Sequence, residues 1–519
     1  MTRDAAAIGA GLAPARLARP IPAGQRLHVI GVAGAGASAA ALHAHHAGAL
    51  VTGCDVGGAS PYTPPLEEAG VRLDWQHSAE HITAVPVPDR VAVTKALTAV
   101  DPDHPELRAA VAAGTPLESW QQVVADAAVG RTLVGVAGTH GKSTTAGWLV
   151  HVLVQAGLDP AAFVGALLPS PITGGLPSTA RTGRGAPFVV EADEYAGNFD
   201  PYRPDVAVVT SAEWDHPDVF ADTAAVIDTF GAWLQRMPDG GTIVANAGDM
   251  GVEAVLDQVV RERPLHVVAY ALTEVAPGRG GYLRGLADRF GVDGRPATPL
   301  MGRITSADPE GTTLEIHGLD SPTGAVVTRL STAGRHNAAN ALAVAGAAMS
   351  LGVSSAEIVS ALGSFGGVGR RLERKGEAAG VVVYDDYGHH PTAIRETLTA
   401  IRQREPGRRV WAVYEPLTYH RTAALLPAFA DALASADAVV VADIWAGRDP
   451  DTTVASAAGL AEAVARARPG IQVEATGSVE ATAEWLAREV RAGDAVLVMG
   501  GGRSYRIAEG LLRRLGSED

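Results

Sequence analysis

The segment Gly138-Thr139-His140-Gly141-Lys142-Ser143-Thr144-Thr145 constrains the fold more than any other. It stands between the apolar run Thr132-Leu133-Val134-Gly135-Val136 and a helix-forming stretch. A glycine-rich turn from strand into helix presents backbone N–H groups and a helix N-terminus to phosphate oxygens. A lysine in the turn reaches the β- and γ-phosphates, and the next hydroxyl can bind Mg2+. Such loops belong to the ends of parallel strands, so the chain reads as α/β. Val136 stands where the strict GxxxxGK[ST] pattern has its first glycine, and Gly138 supplies the flexibility two residues later. Lysine is otherwise almost absent: only Lys95 and Lys375 accompany Lys142, against 39 arginines.

A Mg2+–nucleotide site needs hard oxygen ligands from the ends of other strands. The run Phe188-Val189-Val190 leads into Glu191-Ala192-Asp193-Glu194-Tyr195, and 206–209 leads to Glu213-Trp214-Asp215-His216. Strand alternation would point Glu191 and Asp193 to one side and Glu194 to the other. Either cluster alone could be a solvated acidic loop. Two such strand ends in one P-loop domain are harder to dismiss.

A second glycine loop lies upstream, where a short strand at 27–30 meets Gly31, Gly34 and Gly36 and then an Ala-rich helix. Its spacing is GxxGxG rather than GxGxxG, and Asp55 follows at a distance suited to a ribose contact. Close strand–helix packing accounts for the same glycines. Downstream, Tyr384-Asp385-Asp386-Tyr387-Gly388-His389-His390-Pro391 closes another apolar strand. Charged and imidazole groups crowded at a strand end are costly unless partnered, which favours a ligand-facing role. Arg370, Arg371 and Arg421 are placed to serve anionic groups.

At 519 residues the chain has room for about three domains. Strands and helices alternate at both ends, and residues 278–334 read as antiparallel strands. The glycines 366, 367 and 369 mark a boundary. A net charge of −15 argues against nucleic acid or an anionic membrane as the main partner. The single cysteine, Cys54, excludes an intramolecular disulfide and a Cys-rich metal site. No apolar run of about 20 residues offers a membrane span. The stretch 1–23 has Arg3, Arg16 and Arg19 but no compact apolar segment, and reads as a loose tail. The expected setting is the cytoplasm.

These pieces in this order resemble the ATP-dependent Mur ligases. The resemblance rests on HVIGVAGAGAS (28–38), GVAGTHGKSTT (135–145), EADEY (191–195), EWDH (213–216), GRHNAAN (334–340), RRLE (370–373) and DDYGHHP (385–391). It implies three α/β domains: a Rossmann-like UDP-sugar-binding domain at 24–128, a central P-loop ATPase domain at 129–366, and a Rossmann-like amino-acid-binding domain at 367–519. It also implies a reaction, in which a substrate carboxylate attacks the γ-phosphate of ATP. The acyl phosphate so formed is then opened by the amine of an amino acid.

The resemblance carries roles over residue by residue. Lys142, Glu191, His216, His389 and Asp386 match catalytic positions. Gly138, Thr139, His140, Gly141, Lys142, Ser143 and Thr144 would hold ATP, with His336, Asn337 and Asn340 at the adenine and Arg371 reaching the phosphates. Ser143, Glu191 and His216 would hold Mg2+. Gly31, Gly34, Gly36, Ser38 and Asp55 would contact the UDP-sugar, and Asp385, Tyr387, His389, His390 and Arg421 the amino acid.

The closest branch joins L-alanine to the carboxylate of UDP-N-acetylmuramate in peptidoglycan precursor synthesis. It does without the carbamylated lysine of other members, as this chain must, since Lys142 is the only lysine of 129–366. A sister branch reattaches a recycled tripeptide to the same acceptor and shares EADEY, WDHPDVF and Glu415-Pro416. The family's HRYTR segment reads here Leu417-Thr418-Tyr419-His420-Arg421, keeping only the last arginine. A nicotinamide-dependent oxidoreductase would explain the first glycine loop alone. A non-catalytic UDP-sugar sensor would be expected to lose Lys142, Glu191 or His216. A monomer or homodimer is expected.

Overall fold

A computed structural model describes residues 8–259, 263–274, 285, 288–289, 291, 296–319, 324–447, 449 and 451–517. Its strands form three sheets. The first holds β1 (Arg26–Ile30), β2 (Leu50–Cys54), β3 (Arg72–Asp74), β4 (Arg90–Val93) and β5 (Leu117–Ser119) in the order β3-β2-β1-β4-β5, all parallel. The order reverses at β1, so a crevice opens at the C-terminal ends of β1 and β4, beside the Gly31 loop. Helix Ala35–His46 follows that loop and is built mostly of alanine, with 37–44 buried because it is covered on both sides. One side lies on the first sheet. The other meets the second, where His43 Nε2 bonds the Ala162 carbonyl at 2.9 Å.

The second sheet contains β6 (Thr132–Ala137), β7 (Ala161–Leu168), β8 (Ser178–Thr182), β9 (Pro187–Glu191), β10 (Val206–Val209), β11 (Thr242–Asn246), β12 (His266–Thr273), β13 (Thr298–Asp308), β14 (Gly311–His317) and β15 (Ala325–Leu330). Their order is β15-β14-β13-β12-β11-β10-β6-β9-β7-β8. Strand β6 lies between β10 and β9, parallel to both, and its Val-rich sequence is that of a strand buried on both faces. The antiparallel strands expected within 278–334 are β13, β14 and β15. Residues 278–284, 286–287, 290, 292–295 and 320–323 of that stretch lie outside the described residues.

The third sheet comprises β16 (Glu373–Ala378), β17 (Val381–Asp386), β18 (Arg409–Glu415), β19 (Ala438–Ala442), β20 (Gln472–Gly477) and β21 (Asp494–Gly500), ordered β16-β17-β21-β18-β19-β20. Five are parallel and β16 is an antiparallel edge. The three-domain α/β architecture expected from the sequence is the one observed.

The N-terminal stretch is a correction. From Ile8 onward it is packed rather than loose: Ile8 is buried, and Ala13 N–H bonds the Leu117 carbonyl at 2.8 Å. Arg16 forks onto Glu118 and Asp126 at 2.8–3.1 Å, and Arg90 meets the same two carboxylates from inside. Two buried carboxylates demand cations, and β4 supplies only one of them.

Candidate active site

The loop after β6 is shaped by close approach. A side chain on Gly138, at φ 140°, would put its first carbon 2.1 Å from Thr210 Oγ1. One on Gly141, at φ 81°, would meet Asn340 Oδ1 at 2.7 Å. Both positions therefore require glycine. Thr139 N–H and His140 N–H bond Ser211 O and Ser211 Oγ, fixing the loop to the end of β10. Helix Lys142–Gln155 then starts with its N-terminus open to the cleft. That cleft is lined by His140, Gly141, Thr144, His336, Asn337, Asn340, Arg371 and Asp386 among others. The expected nucleotide residues thus converge from the central and C-terminal domains.

Lys142 Nζ donates to Gly138 O at 2.6 Å and to Glu194 Oε2 at 2.9 Å, with Asp193 Oδ1 at 3.8 Å. Burial alone would lower its pKa, but the charges of Glu194 and Asp193 prevail and raise it. Burial pushes the Glu194 carboxyl up to about 7, against the pull of Lys142. Ser143 Oγ donates to Glu191 Oε1 at 3.0 Å, while Glu191 Oε2 accepts Gly165 N–H.

The alternation expected along 191–194 does not hold. Strand β9 stops at Glu191, so Asp193 and Glu194 turn together toward Lys142, and they cluster with His216 within 4.8 Å. Glu191 stands instead with Ser143. The three expected Mg2+ ligands are thus divided between the Ser143–Glu191 pair and the Asp193–Glu194–His216 cluster. Hard oxygens with one imidazole form a donor set that suits Mg2+.

The C-terminal domain completes this site. Arg371 Nη2 donates to Ser143 Oγ at 2.7 Å across the domain boundary. Arg421 pairs with Asp215 at 2.7 Å, both 4% exposed or less, and donates to His216 Nδ1 at 2.9 Å. Burial opposes ionisation of Asp215, but Arg421 and His216 hold its pKa well below the usual carboxylate range. His216 is at φ 54°, a strained conformation that this contact sustains. His390 packs its ring 4.5 Å from that of His140, and Thr392 Oγ1 donates to Glu213 at 2.7 Å. Burial, with His140 adding, depresses His390 to about 4.

One of the residues expected at the amino acid is turned inward. Asp385 is fully buried and bonds Arg370 Nε at 3.2 Å, and burial raises it to about 6. Asp386 lines the cleft and accepts Leu372 N–H at 2.7 Å and Gly388 N–H at 2.6 Å, so its carboxylate also holds the loop. Tyr387 lies between Arg370 and Arg371, each guanidinium 5.0 Å from its ring, and aims Arg371 at the P-loop. His389 Nδ1 donates to Tyr387 O at 2.9 Å.

In the first domain Gly31 is at φ 77° and Gly34 caps the helix. The α-carbon of Gly36 faces inward: a side chain there would lie 2.2 Å from the Trp120 indole. Ser38 Oγ bonds Ala35 O and Thr179 Oγ1, and Asp55 accepts Ala33 N–H and Gly57 N–H. Sequence reasoning missed Lys95, which donates to Ala196 O at 2.9 Å and Gly197 O at 2.7 Å where the first two domains meet. The scarcity of lysine was the available signal.

Comparison with known proteins finds the same three domains in the same order. The chain matches the Mur ligase family catalytic domain over residues 26–132, the Mur ligase middle domain over 136–348, and the Mur ligase glutamate ligase domain over 370–502. It is 36% identical to UDP-N-acetylmuramate–L-alanine ligase of Frankia casuarinae, covering 95% of this chain and 98% of that protein. It is 34% identical to the enzyme of the same name from Gloeobacter violaceus, over 95% and 97%. The solved UDP-N-acetylmuramate–alanine ligase of Thermotoga maritima superposes with TM-score 0.74 at 23% identity, covering 95% of this chain and all of that one. A murein peptide ligase from Psychrobacter arcticus gives TM-score 0.68 at 26% identity, over 95% and 99%. With all three domains matched in order over nearly the whole length, the chain belongs to the Mur ligase family.

Proposed function

We propose that this ligase uses ATP to join L-alanine to the carboxylate of UDP-N-acetylmuramate. The observation that carries the reading is the bond from Arg371 to Ser143, which unites a P-loop with a cation from another domain in one closed site. ATP fits the cleft with its base near His336, Asn337 and Asn340 and its phosphates on the loop 138–144. The substrate carboxylate oxygen attacks the γ-phosphorus, the bond to the β,γ-bridging oxygen breaks, and ADP leaves. Lys142 and Arg371 stabilise the charge spread over the transferring oxygens. Ser143, Glu191 and His216 would hold Mg2+, which supplies further neutralisation of the phosphates.

The amine then attacks the acyl carbon and phosphate departs. With Nδ1–H committed to Tyr387 O, His389 leaves Nε2 as an acceptor for the amine's proton. Arg421 Nη1 is buried with no hydrogen-bond partner among the described residues, a donor left over for the carboxylate of the amino acid. The enclosed surroundings of Arg421, 3% exposed, suit a single small amino acid better than a tripeptide with several carboxylates.

The acyl-phosphate route is tested with UDP-N-acetylmuramate labelled with ¹⁸O in its carboxylate. One labelled oxygen per turnover is expected in the released phosphate. Unlabelled phosphate accompanying labelled product would refute the route.

A further inference from the structure

The sole cysteine and four of the sixteen histidines meet at one place that the ligase reaction does not use. His28 on β1 and Cys54 at the end of β2 point to the same face of the first sheet, toward helices Glu80–Thr83 and Pro105–Ala113. From those helices and the turn before them come His77, His81 and Glu106. Cys54 Sγ lies 3.4 Å from His28 Nε2, 3.1 Å from Glu106 Oε2 and 3.2 Å from His77 Nδ1. His28 Nε2 is 3.6 Å from Glu106 Oε2, and His81 Nδ1 is 2.8 Å from Glu106 Oε1. His104, 2% exposed, lies against His77 with ring centroids 4.3 Å apart, and its Nε2 has no hydrogen-bond partner among the described residues.

We propose that His28, Cys54, His81 and Glu106 form a zinc site within the first domain. Their ligand atoms all lie within 4.8 Å of one another. Tetrahedral Zn2+, with bonds of about 2.0 Å to nitrogen and oxygen and about 2.3 Å to sulfur, sets ligand atoms about 3.3–3.6 Å apart. The contacts of His28 with Cys54 at 3.4 Å and with Glu106 at 3.6 Å fall on those edges, and the Cys54–Glu106 contact at 3.1 Å is shorter and would open on binding. A thiolate and a carboxylate balance a divalent charge, and two neutral imidazoles complete the set. Binding forms the metal–sulfur bond and releases the thiol proton to water.

The outer shell is also in place. His28 Nδ1 bonds Thr52 Oγ1 at 2.8 Å, and His81 Nε2 lies 3.6 Å from Asp74 Oδ2, the kind of partner that orients a ligating imidazole. Glu106 Oε1 also accepts Ser78 N–H at 2.9 Å, which leaves Oε2 directed at Cys54 and His28. The sulfur ligand selects zinc over Mg2+. The Cys54 carbonyl accepts the N–H groups of Gly31 and Val32, so the metal would brace the first glycine loop from beneath.

The test is titration of the chelator-stripped, full-length protein with Co2+ alone, followed by Zn2+. One equivalent of Co2+ should give intense tetrahedral visible bands and a near-ultraviolet thiolate-to-cobalt band, both abolished by one equivalent of Zn2+. The cluster of Asp193, Glu194 and His216 contains no sulfur, so metal bound there cannot give the near-ultraviolet band. Cys54→Ser should lose that band, and His81→Gln should bind Co2+ at least tenfold more weakly. Absence of the band from folded wild-type protein would overturn the proposal, as would its survival in Cys54→Ser. The wild-type titration decides the matter even if a variant fails to fold.

Discussion

The two glycine-rich loops look alike as sequence, each leading from a short apolar strand into a helix, yet they are finished differently. The loop at 31–36 is completed by its neighbours: Asp55 holds the Ala33 N–H, and Trp120 of the same domain fills the space that Gly36 leaves. The loop at 138–144 is completed from far along the chain. Asn340 presses on Gly141, Arg371 reaches Ser143, and Arg421 locks the Asp215–His216 corner. A glycine pattern therefore reports only that something comes close. Whether that is a neighbouring helix or another domain depends on residues outside the pattern.

The sharpest way to break this contrast is to remove the cross-domain lock. Arg421→Ala leaves Asp215 buried without its cation, at a cost to the closed arrangement of about 3–5 kcal/mol. Small-angle scattering of the ligand-free variant should show a larger radius of gyration than wild type. An unchanged radius would mean that the lock does not hold the domains together.

The next effect is chemical. Lys142→Ala should lower kcat by about 10²–10³ with the fold intact by circular dichroism, because one contact to the transferring phosphoryl group is lost. The first loop carries no such group. Near-normal turnover by folded Lys142→Ala protein would remove the phosphoryl-transfer role from the second loop.

A smaller effect belongs to the first loop. Gly36→Ala places a methyl against the Trp120 indole and should destabilise the protein by about 1–3 kcal/mol, read as a lower unfolding midpoint. Adding Trp120→Leu should recover part of the loss. If Gly36→Ala instead weakened UDP-sugar binding without loss of stability, the glycine would face ligand and the contrast would fail.

The smallest effect is a pH dependence of the domain contact. His390 is depressed from 6.5 to about 4, chiefly by burial. A histidine with a lowered pKa in the closed form contributes fully above pH 6.5, and its contribution is lost as pH falls through 4. The radius of gyration should rise over that window, and less so in His390→Asn. Identical pH profiles for the two proteins would exclude His390 as the titrating group.

Local chemistry accounts for what was legible in the sequence. Lys142 stood out because lysine is so scarce, and the acidic strand ends because carboxylates seldom follow buried valines without purpose. The strands β6, β9, β10 and β17 were readable from their valine runs. Where strands end was not readable, so Asp193 was placed on the wrong side and Asp385 was taken as facing ligand when it is buried against Arg370. Arg16 gave no local sign of its bond to Glu118 and Asp126, more than a hundred residues away. Lys95 contacts the central domain through backbone carbonyls, which any sequence could supply.

In the proposed reaction the closed site activates a sugar-nucleotide carboxylate for a single small amino acid. ADP release by the purified protein, measured with ATP, Mg2+ and UDP-N-acetylmuramate and with each amine in turn, tests it most directly. Fast release with L-alanine, weaker release with glycine or L-serine, and little with a tripeptide is the predicted order, since one methyl group is worth only about 1–3 kcal/mol of discrimination. Faster release with the tripeptide than with L-alanine would contradict it.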